Sequence, residues 1–530
     1  MKQFAKRILP WALATLSGAL MAAGYEPWKM ASLAWIAWLP LISQLLPIEP
    51  DASCARPFLY GFVAGLVFWL CTIFWLVHVS YPAMPALAAY LALFTGVWAW
   101  WMSLIRRRWK AVAGVSHILL AALGACGWVA LEWLRGWLLG GFPWNFAAVS
   151  QYRNLALIQV VEWTGVHGLS FVILFFNISL WLTWRRLKIE RFSARSWRYE
   201  FSAAVFLVAF CLYVGMRCLG QFQLAGAHAE RMWKPASFSL IQPNIPQNAK
   251  YEAMKRDDQR RILEQLTLTA AATKPDLILW PETALVDGPL YDVESRMWLQ
   301  QIAARAKIPI LLGTLDATKE KATVTREDRW RVSYYNAAIL IHPDGTFERP
   351  YHKIHLVPFG EYVPFEKQIP WMRKLTPIPG SFDSGGEPVL IQAASRKLGI
   401  VICFEDTLPS LSRELVRKGA DVIVNLTNDA WFQDSPAAAQ HLANSVFRTI
   451  ETRRPLVRCT NNGVTAMIST MGEIQYTQLK PFTRGFWTAP LDCRWNSSPT
   501  WSVRFGDWFP RMCLGFCLLA FLSRWTRFRS

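Results

Sequence analysis

Eight apolar segments of nearly membrane-spanning length constrain the fold of this chain more than any other feature. Seven of them lie before residue 225, and the eighth lies close to the carboxyl terminus. A bilayer-spanning helix needs about 20 mainly apolar residues, and unpaired peptide groups are costly in hydrocarbon. We therefore predict eight membrane helices, at residues 8–24, 30–48, 57–79, 84–105, 114–134, 165–184, 200–220 and 507–523.

The composition agrees with a membrane protein. Of the 530 residues, 53% are hydrophobic and 29 are Trp, a residue enriched where lipid meets water. The mean hydropathy of +0.19 is higher than that of an ordinary soluble protein. The first 27 residues have the basic start and apolar stretch of a signal peptide. Because further membrane segments follow directly, we interpret them as the first anchor.

The positive charge orients the predicted helices. The net charge is +19, and basic clusters lie at residues 2–7, 106–110, 185–198 and 524–529. If the crossings alternate, all four clusters fall on one side, which the positive-inside rule identifies as the cytoplasm. The polar insert between the seventh and eighth helices then lies outside the cytoplasm. Since topology accounts for most of the basic charge, we expect no nucleic-acid partner.

The insert at residues 225–500 has a different pattern of apolar residues. Apolar runs of strand length alternate with helical patterns, as in ASFSLIQ followed by QRRILEQLTLTAAATK and then DLILW. Such alternation predicts an α/β layer structure with helices covering the sheets. We therefore predict a seven-helix membrane domain at 1–224, an α/β domain at 225–500, and an eighth helix with a cytoplasmic tail at 501–530.

Three polar groups follow apolar strand patterns in the insert: Glu282, Lys353 and Cys403. A carboxylate can take the proton of a thiol, and a nearby ammonium favours the thiolate and can stabilise an oxyanion. Taken singly, each residue also fits an ordinary role as a loop carboxylate, a surface lysine or a core cysteine. Spacing in the sequence leaves open whether the three side chains meet.

The sequence gives no sign of a metal, a cofactor or a disulfide framework. The ten cysteines lack regular spacing, and most lie in apolar runs. His352 and His355 flank Lys353, but three-residue spacing on an extended stretch suits a single metal ion poorly. No Walker phosphate-binding loop is present. We therefore expect neither a metal nor an organic cofactor.

Several segments carry a family resemblance. LILWPET, HKIHLVPFGEYVP, GIVICFED and RELVRKGADVIVNLTNDAWF resemble, in order, the signatures of the carbon–nitrogen hydrolase (nitrilase) superfamily. The Glu-Lys-Cys triad of that superfamily maps onto Glu282, Lys353 and Cys403. VALEWLRGWLLGGFPWNFAAVSQY, GVHGLSF and IQPNIPQNAK further resemble the apolipoprotein N-acyltransferase family of bacterial envelopes.

The resemblance implies an α-β-β-α sandwich and a two-step acyl transfer. Cys403 would attack an ester of a membrane phospholipid and form a thioester, with Glu282 as general base and then acid and Lys353 at the oxyanion. The amino group of a diacylglyceryl-cysteine at a lipoprotein amino terminus would then take the acyl chain. The resemblance places the enzyme in the bacterial inner membrane with its catalytic domain on the periplasmic side, and we expect a monomer.

Other positions match the family pattern less fully. Glu361 and Glu405 match carboxylates near the triad, although a structural hydrogen bond is the alternative for Glu361. Phe404 stands where the pattern usually has Tyr, and Tyr251 stands where it usually has Trp. We interpret Asn336 as a polar group at a turn or strand end.

A lipid substrate requires a site that is open to lipid. The Pro-rich segment 364–382 presents Trp371 and Met372, and we predict a mobile arm that lies at the membrane and gates the cleft. Trp144, in a loop expected on the same outer side, is a further candidate for lipid contact. Ordinary packing remains the alternative for the arm and for Trp144.

Two other functions stay open at this point. The first is a membrane-anchored amidase or nitrile hydrolase that uses water as the second acceptor. The second is a transporter or scaffold with a degenerate insert. The intact Glu282, Lys353 and Cys403 and the few ionisable residues in the predicted helices argue against the second alternative.

Overall fold

The computed structural model divides the chain into two compact units. One comprises Met1–Val77, Tyr81–Phe222 and Arg504–Ser530, and we call it the helical unit; the other comprises His78–Ser80 and Gln223–Val503, and we call it the α/β unit. The structure describes residues 2–49, 52–108, 115–189, 199–229, 235–247, 256–321, 330–364, 366, 368–375, 381–476, 479–491 and 498–523.

Apolar α-helices make up most of the helical unit. Short 3-10 turns at Ala31–Trp35 and Phe74–His78 interrupt the series. The α-helices before the α/β unit are α1 (Lys2–Ala23), α2 (Leu39–Leu45), α3 (Pro57–Thr72), α4 (Ala83–Arg108), α5 (Val115–Arg135), α6 (Leu155–Ile158), α7 (Val161–Thr164), α8 (Val166–Ile189) and α9 (Tyr199–Ala229).

By length and composition, four described helices could cross a membrane. They are Ala83–Arg107, Val115–Arg135, Val166–Ile189 and Tyr199–Gln221. The other apolar helices among the described residues are shorter, so the count of eight crossings stays a prediction.

The segment at 30–48 does not form the single helix that its apolarity predicts. It forms the 3-10 turn Ala31–Trp35 and then α2, which has Pro40 in its first turn. A proline lacks the N–H that would continue a preceding helix, although it fits the start of a new one. The prediction of one continuous helix was therefore wrong here.

Small residues bring α3 and α4 close together. A Cβ at Gly61 would lie 2.4 Å from Ala99 Cβ, and one at Gly65 would lie 2.7 Å from Thr95 Oγ1. Where apolar helices meet, close backbone approach supplies the packing contacts that a hydrophobic driving force does not. These glycines on α3 therefore have a packing role.

Two charged residues at the end of α5 hold the loop that follows. Arg135 Nη1 donates to the carbonyls of Phe142 and Trp144 at 2.8 and 2.9 Å, and Glu132 Oε1 accepts from Ala147 N at 2.7 Å. Trp144 is only 3% exposed and packs against other aromatic rings of this unit. The burial of its side chain favours the packing alternative for Trp144.

The α/β unit contains four α-helices and twelve strands among its described residues. The helices are α10 (Arg256–Ala271), α11 (Val293–Ala306), α12 (Pro409–Arg417) and α13 (Ala437–Thr452). The short α14 (Trp501–Phe505) begins in this unit and ends in the helical unit, which also contains α15 (Trp508–Leu522). The strands are β1 (Ala236–Gln242), β2 (Leu277–Leu279), β3 (Ile310–Lys321), β4 (Trp330–Ile341), β5 (Tyr351–His352), β6 (Leu390–Ala393), β7 (Arg396–Ile402), β8 (Val422–Thr427), β9 (Leu456–Thr460), β10 (Ala466–Ile468), β11 (Ile474–Tyr476) and β12 (Gly485–Leu491).

The strands form two mixed six-stranded sheets. Their orders are β12-β1-β2-β3-β4-β5 and β11-β10-β9-β8-β7-β6, and the central strands of each sheet run parallel. Side chains of both sheets, such as Phe238 and Leu398, share one buried core, which places the sheets face to face. A second core lies between the first sheet and α10 and α11, with Leu263 and Leu299 from the helices.

Helices α12 and α13 cover the second sheet, with α12 against β7 and α13 against β9. The layers therefore run helix, sheet, sheet, helix, and the predicted α-β-β-α sandwich is confirmed. Because the central strands are buried on both faces, their sequences are nearly continuous apolar runs. The polar residues that follow β2 and β7 therefore stand at the ends of rigid, buried elements.

Candidate active site

Cys403 stands at a sharp turn at the end of β7. The strand ends at Ile402, and Cys403, the first residue of the 3-10 turn Cys403–Thr407, has a φ of 52°. A positive φ is unfavourable for a residue with a Cβ, so surrounding contacts must hold it. The Cys403 carbonyl accepts from Asn425 Nδ2 at 2.9 Å and lies 3.3 Å from His441 Nε2. The turn therefore places Cys403 directly after the carboxyl end of β7, as the sequence predicted.

Glu282 lies at a corresponding turn after β2 and is 6% exposed. The following residue, Thr283, has a φ of 47°. A Cβ at Gly313 of β3 would lie 2.4 Å from the Pro281 carbonyl oxygen and 2.6 Å from Glu282 Cα. Only a glycine fits there, and its presence lets β3 support the turn that carries the carboxylate.

Lys353 follows β5 directly and is almost fully buried. Its Nζ donates to Glu361 Oε1 at 2.8 Å and lies 3.5 Å from Glu282 Oε1. Burial would lower the pKa of this ammonium, but the carboxylates of Glu361 and Glu282 outweigh burial and raise the pKa above its ordinary value. The side chain therefore stays a cation.

The Cys403 thiol lies within the electrostatic reach of both groups. Burial and the Glu282 carboxylate raise its pKa, while the Lys353 ammonium lowers it, and the pKa remains above its ordinary value. The neutral thiol is consequently the resting form. Lys353 and Glu282 lie 3.5 Å apart and both charges act on the Cys403 thiol, so the set offers a carboxylate able to receive a proton and a cation able to face an oxyanion.

Asn336 on β4 links the two carboxylates. Its Nδ2 donates to Glu282 Oε1 at 2.8 Å and to Glu361 Oε1 at 2.9 Å, and its backbone carbonyl accepts from Lys353 N at 2.8 Å. The second oxygen of Glu361 accepts from Val357 N at 2.8 Å. These contacts go beyond the turn or strand-end role predicted for Asn336, and its position inside the apolar run YYNAAILI was a signal for a buried polar contact.

Glu405 ties the Cys403 turn to the chain around Lys353. Its carboxylate accepts from Ile402 N on one side and from Ile354 N and His355 N on the other, at 2.8–2.9 Å. Tyr351 Oη donates to it as well, at 2.9 Å. Burial raises the pKa of Glu405 to about 7, although Lys353 and the N–H donors act in the opposite direction. Glu405 is therefore placed to fix the spacing between thiol and ammonium.

A buried charge network that was not predicted from the sequence lies next to the Cys403 turn. We call Asp406, Asp429, His441 and Arg458 the Asp-His-Arg network. His441 Nε2 lies 2.8 Å from Asp406 Oδ1, and His441 Nδ1 lies 3.1 Å from Asp429 Oδ1. Arg458 donates to Asp406 at 2.7 Å and to Asp429 at 3.1 Å.

The two carboxylates of this network stabilise its two cationic groups. Burial and Arg458 lower the pKa of His441, but the two carboxylates outweigh them and raise it. Burial raises the pKa values of Asp406 and Asp429, yet His441 and Arg458 hold both below their ordinary range. Since Arg is seldom buried without a partner, Arg458 in the apolar strand LVRCT was a sequence signal for a buried ion pair.

The structure gives the lipid-contact candidates very different surroundings. Trp371, in the 3-10 turn Pro370–Leu375, is 62% exposed, whereas Phe404 is half-buried beside Cys403. Tyr251 and the side chain of Met372 lie outside the described residues. Trp144 belongs to the other unit. Within the described ranges, no group of three or more His, Cys, Asp or Glu side chains could hold a metal ion.

Comparisons with known proteins cover nearly the whole chain. The family description "Apolipoprotein N-acyltransferase N-terminal domain" matches residues 17–179, and "Carbon-nitrogen hydrolase" matches residues 239–496. The apolipoprotein N-acyltransferase of Geobacter metallireducens is 34% identical over 518 residues, covering 95% of this chain and 92% of that protein. That of Bdellovibrio bacteriovorus is 28% identical over 529 residues, covering 94% and 90%. Among solved structures, an amidase from Nesterenkonia sp. AN1 aligns with 48% of this chain and 93% of its own at 16% identity and a TM-score of 0.33.

Proposed function

This chain belongs to the apolipoprotein N-acyltransferase family, and on that premise we propose that it acylates lipoproteins through a thioester on Cys403. The acyl donor is a membrane phospholipid. The acceptor is the α-amino group of the amino-terminal diacylglyceryl-cysteine of a lipoprotein. One observation carries the mechanism: the Glu405 carboxylate joins the Cys403 turn to the chain next to Lys353, whose ammonium lies 3.5 Å from Glu282.

In the first half-reaction, the Cys403 thiol gives its proton to the Glu282 carboxylate. The thiolate attacks the ester carbonyl of the phospholipid, a C–S bond forms, and the oxyanion faces the Lys353 ammonium. The ester C–O bond then breaks, and the leaving alkoxide of the lysophospholipid takes the proton from Glu282. The 2.8 Å contact with Glu361 supports this role, because it fixes the ammonium before substrate arrives.

In the second half-reaction, the amino group of the diacylated lipoprotein attacks the thioester carbonyl. Glu282 takes a proton from the nitrogen, Lys353 again faces the oxyanion, and the C–S bond breaks to release the amide. The sulfur leaves as a thiolate, which recovers a proton from Glu282. The conversion of an ester into an amide runs downhill, so the reaction requires no ATP, metal or organic cofactor.

We propose that eight segments cross the inner membrane of a bacterium, with the α/β unit on the periplasmic side. The domain limits follow the sequence prediction: seven crossings within 1–224, the catalytic domain at 225–500, and the last crossing with a cytoplasmic tail at 501–530. The basic clusters at 106–110 and 185–198 support this orientation. We expect the enzyme to work as a monomer.

Incubation of the purified protein with phospholipid and a diacylated lipopeptide tests the proposal. We expect a triacylated peptide and a lysophospholipid in equal amounts, and neither product from Cys403→Ala. Free fatty acid in place of triacylated peptide would instead show that water is the acceptor, as in the amidase alternative. Lysophospholipid and triacylated peptide from Cys403→Ala would exclude the thioester route.

A further inference from the structure

Thr427 stands beside the Cys403 turn in the second sheet. Strands β7 and β8 run parallel, and Ile402 pairs with Leu426, so the next position along the register sets Cys403 beside Thr427. Alternate residues of a strand point to the same face. Asn425, two residues before Thr427, reaches the Cys403 carbonyl at 2.9 Å. The Thr427 side chain is therefore on the face of the sheet from which the Cys403 turn is held.

The Thr427 hydroxyl is buried without a conventional partner. The residue is 0% exposed, and its Oγ1 makes no hydrogen bond of ordinary geometry within the described part of the chain. On the neighbouring strand β9, Thr460 pairs with Thr427 in register, but its Oγ1 lies 2.8 Å from Thr465 Oγ1. An unpaired buried hydroxyl is costly, so its retention beside a reactive sulfur calls for a reason.

The chemistry of sulfur supplies that reason. A neutral thiol is a weak hydrogen-bond acceptor, whereas a thiolate is a charged one and binds donors strongly. Burial and the carboxylates of Glu282 and Asp429 raise the pKa of Cys403, while Lys353 and the Thr427 side chain lower it. Lys353 is one of the groups around Cys403 that favour the thiolate, but its Nζ already donates a hydrogen bond to Glu361.

We propose that the Thr427 hydroxyl donates a hydrogen bond to the Cys403 thiolate and acts as a further catalytic residue. This inference rests on the proposed role of Cys403 as nucleophile. When the thiol proton moves to Glu282, the hydroxyl turns to the charged sulfur without any change in its own protonation. The same donor stabilises the sulfur when it leaves the thioester, so it serves both half-reactions.

A pair of substitutions separates the hydroxyl from the packing of the side chain. Thr427→Val keeps the shape and removes the hydroxyl, whereas Thr427→Ser keeps the hydroxyl and removes a methyl group. The rate at which iodoacetamide labels Cys403 at pH 7.5, followed by mass spectrometry of its peptide, reports the thiolate fraction. We expect Thr427→Val to slow labelling about tenfold. The reason is that loss of a donor to a charged sulfur should raise the pKa of the Cys403 thiol by about one or more. Thr427→Ser should stay within about twofold of the wild type.

Thr460→Val is the matched control, because it removes a buried hydroxyl at the same level of the sheet, and we expect normal labelling. Slow labelling of Thr427→Ser with normal labelling of Thr427→Val would show that Thr427 acts through packing and would overturn the inference. Equal rates for both Thr427 variants would overturn it as well. Labelling needs neither lipid nor lipoprotein, so this result and the formation of triacylated peptide can fail independently.

Discussion

Lys353 Nζ donates to Glu361 Oε1 across 2.8 Å, a shorter contact than its 3.5 Å approach to Glu282. The cation of the proposed triad is therefore anchored by a residue outside the triad. Asn336 donates to both carboxylates and so links them beside the ammonium. In the proposed mechanism, Glu282 exchanges a proton with Cys403 while Glu361 keeps Lys353 in place.

Glu361→Gln should slow the formation of acyl-enzyme about a hundredfold, since small displacements of a catalytic group have effects of that order. Gln keeps the length of the side chain but removes the charge that holds Lys353. Single-turnover acylation of Cys403 by phospholipid, followed by mass spectrometry, measures the rate. Glu348→Gln, which alters a partly exposed carboxylate paired with His342, is the control. An acylation rate within twofold of the wild type would contradict the anchoring role of Glu361.

Tyr351→Phe should lower the free energy of unfolding by about 1–2 kcal/mol, because it removes one donor from the buried Glu405 carboxylate. Three backbone N–H donors remain, so we expect the turn and most of the activity to survive. Denaturant unfolding of the detergent-solubilised protein measures the change. Tyr334→Phe, at a half-exposed position, should have little effect. Equal stability of the Tyr351 and Tyr334 variants would argue against a structural contribution of the Tyr351 hydroxyl.

His441 should make stability depend on pH. Its folded pKa lies above the ordinary 6.5, so its contribution is complete below about pH 6.5 and is lost as pH rises through the folded pKa. His441→Gln removes the titrating group, and we expect the difference in melting temperature between wild type and variant to narrow from pH 6 to pH 9. Thermal unfolding of both proteins at several pH values checks this. A constant difference across that range would mean that His441 is not charged in the network.

Trp371→Ser should weaken the use of phospholipid without changing the reactivity of the thiol. The ring is 62% exposed, which suits insertion into the interface between lipid and water. We expect a several-fold rise in the phospholipid concentration needed for half-maximal acylation, with unchanged labelling of Cys403 by iodoacetamide. Tyr291→Ser alters another exposed aromatic of the same unit and serves as the control. If Trp371→Ser and Tyr291→Ser need the same phospholipid concentration for half-maximal acylation, the predicted arm at 364–382 has no role in lipid access.

The sequence was sufficient to predict which residues end the central strands. Glu282 and Cys403 follow short, continuous apolar runs, and such runs are typical of strands buried on both faces. The layered α/β fold followed from the alternation of those runs with helical patterns. In the helical unit, apolarity predicted where most helices lie, but the breaks before α2 and after Thr72 show that the predicted 30–48 and 57–79 segments are not single continuous helices.

The contacts that organise the site could not be predicted in the same way. Lys353 and Glu361 lie in a loop without periodicity. Residue propensities therefore do not predict the backbone conformation between them. His441 on α13 and Arg458 on β9 meet only because the helix packs on the sheet. Buried polar residues in apolar patterns showed that partners were needed, but the sequence did not identify the partners.

The most direct test of the mechanism is the mass of the Cys403 peptide after the protein has been exposed to phospholipid alone. We predict one acyl chain on this peptide, released by the amino group of a diacylated lipopeptide with formation of the triacylated product. The added mass should be absent from Cys403→Ala and much reduced in Glu282→Gln. An unmodified Cys403 in a protein that still produces triacylated peptide would contradict the thioester mechanism.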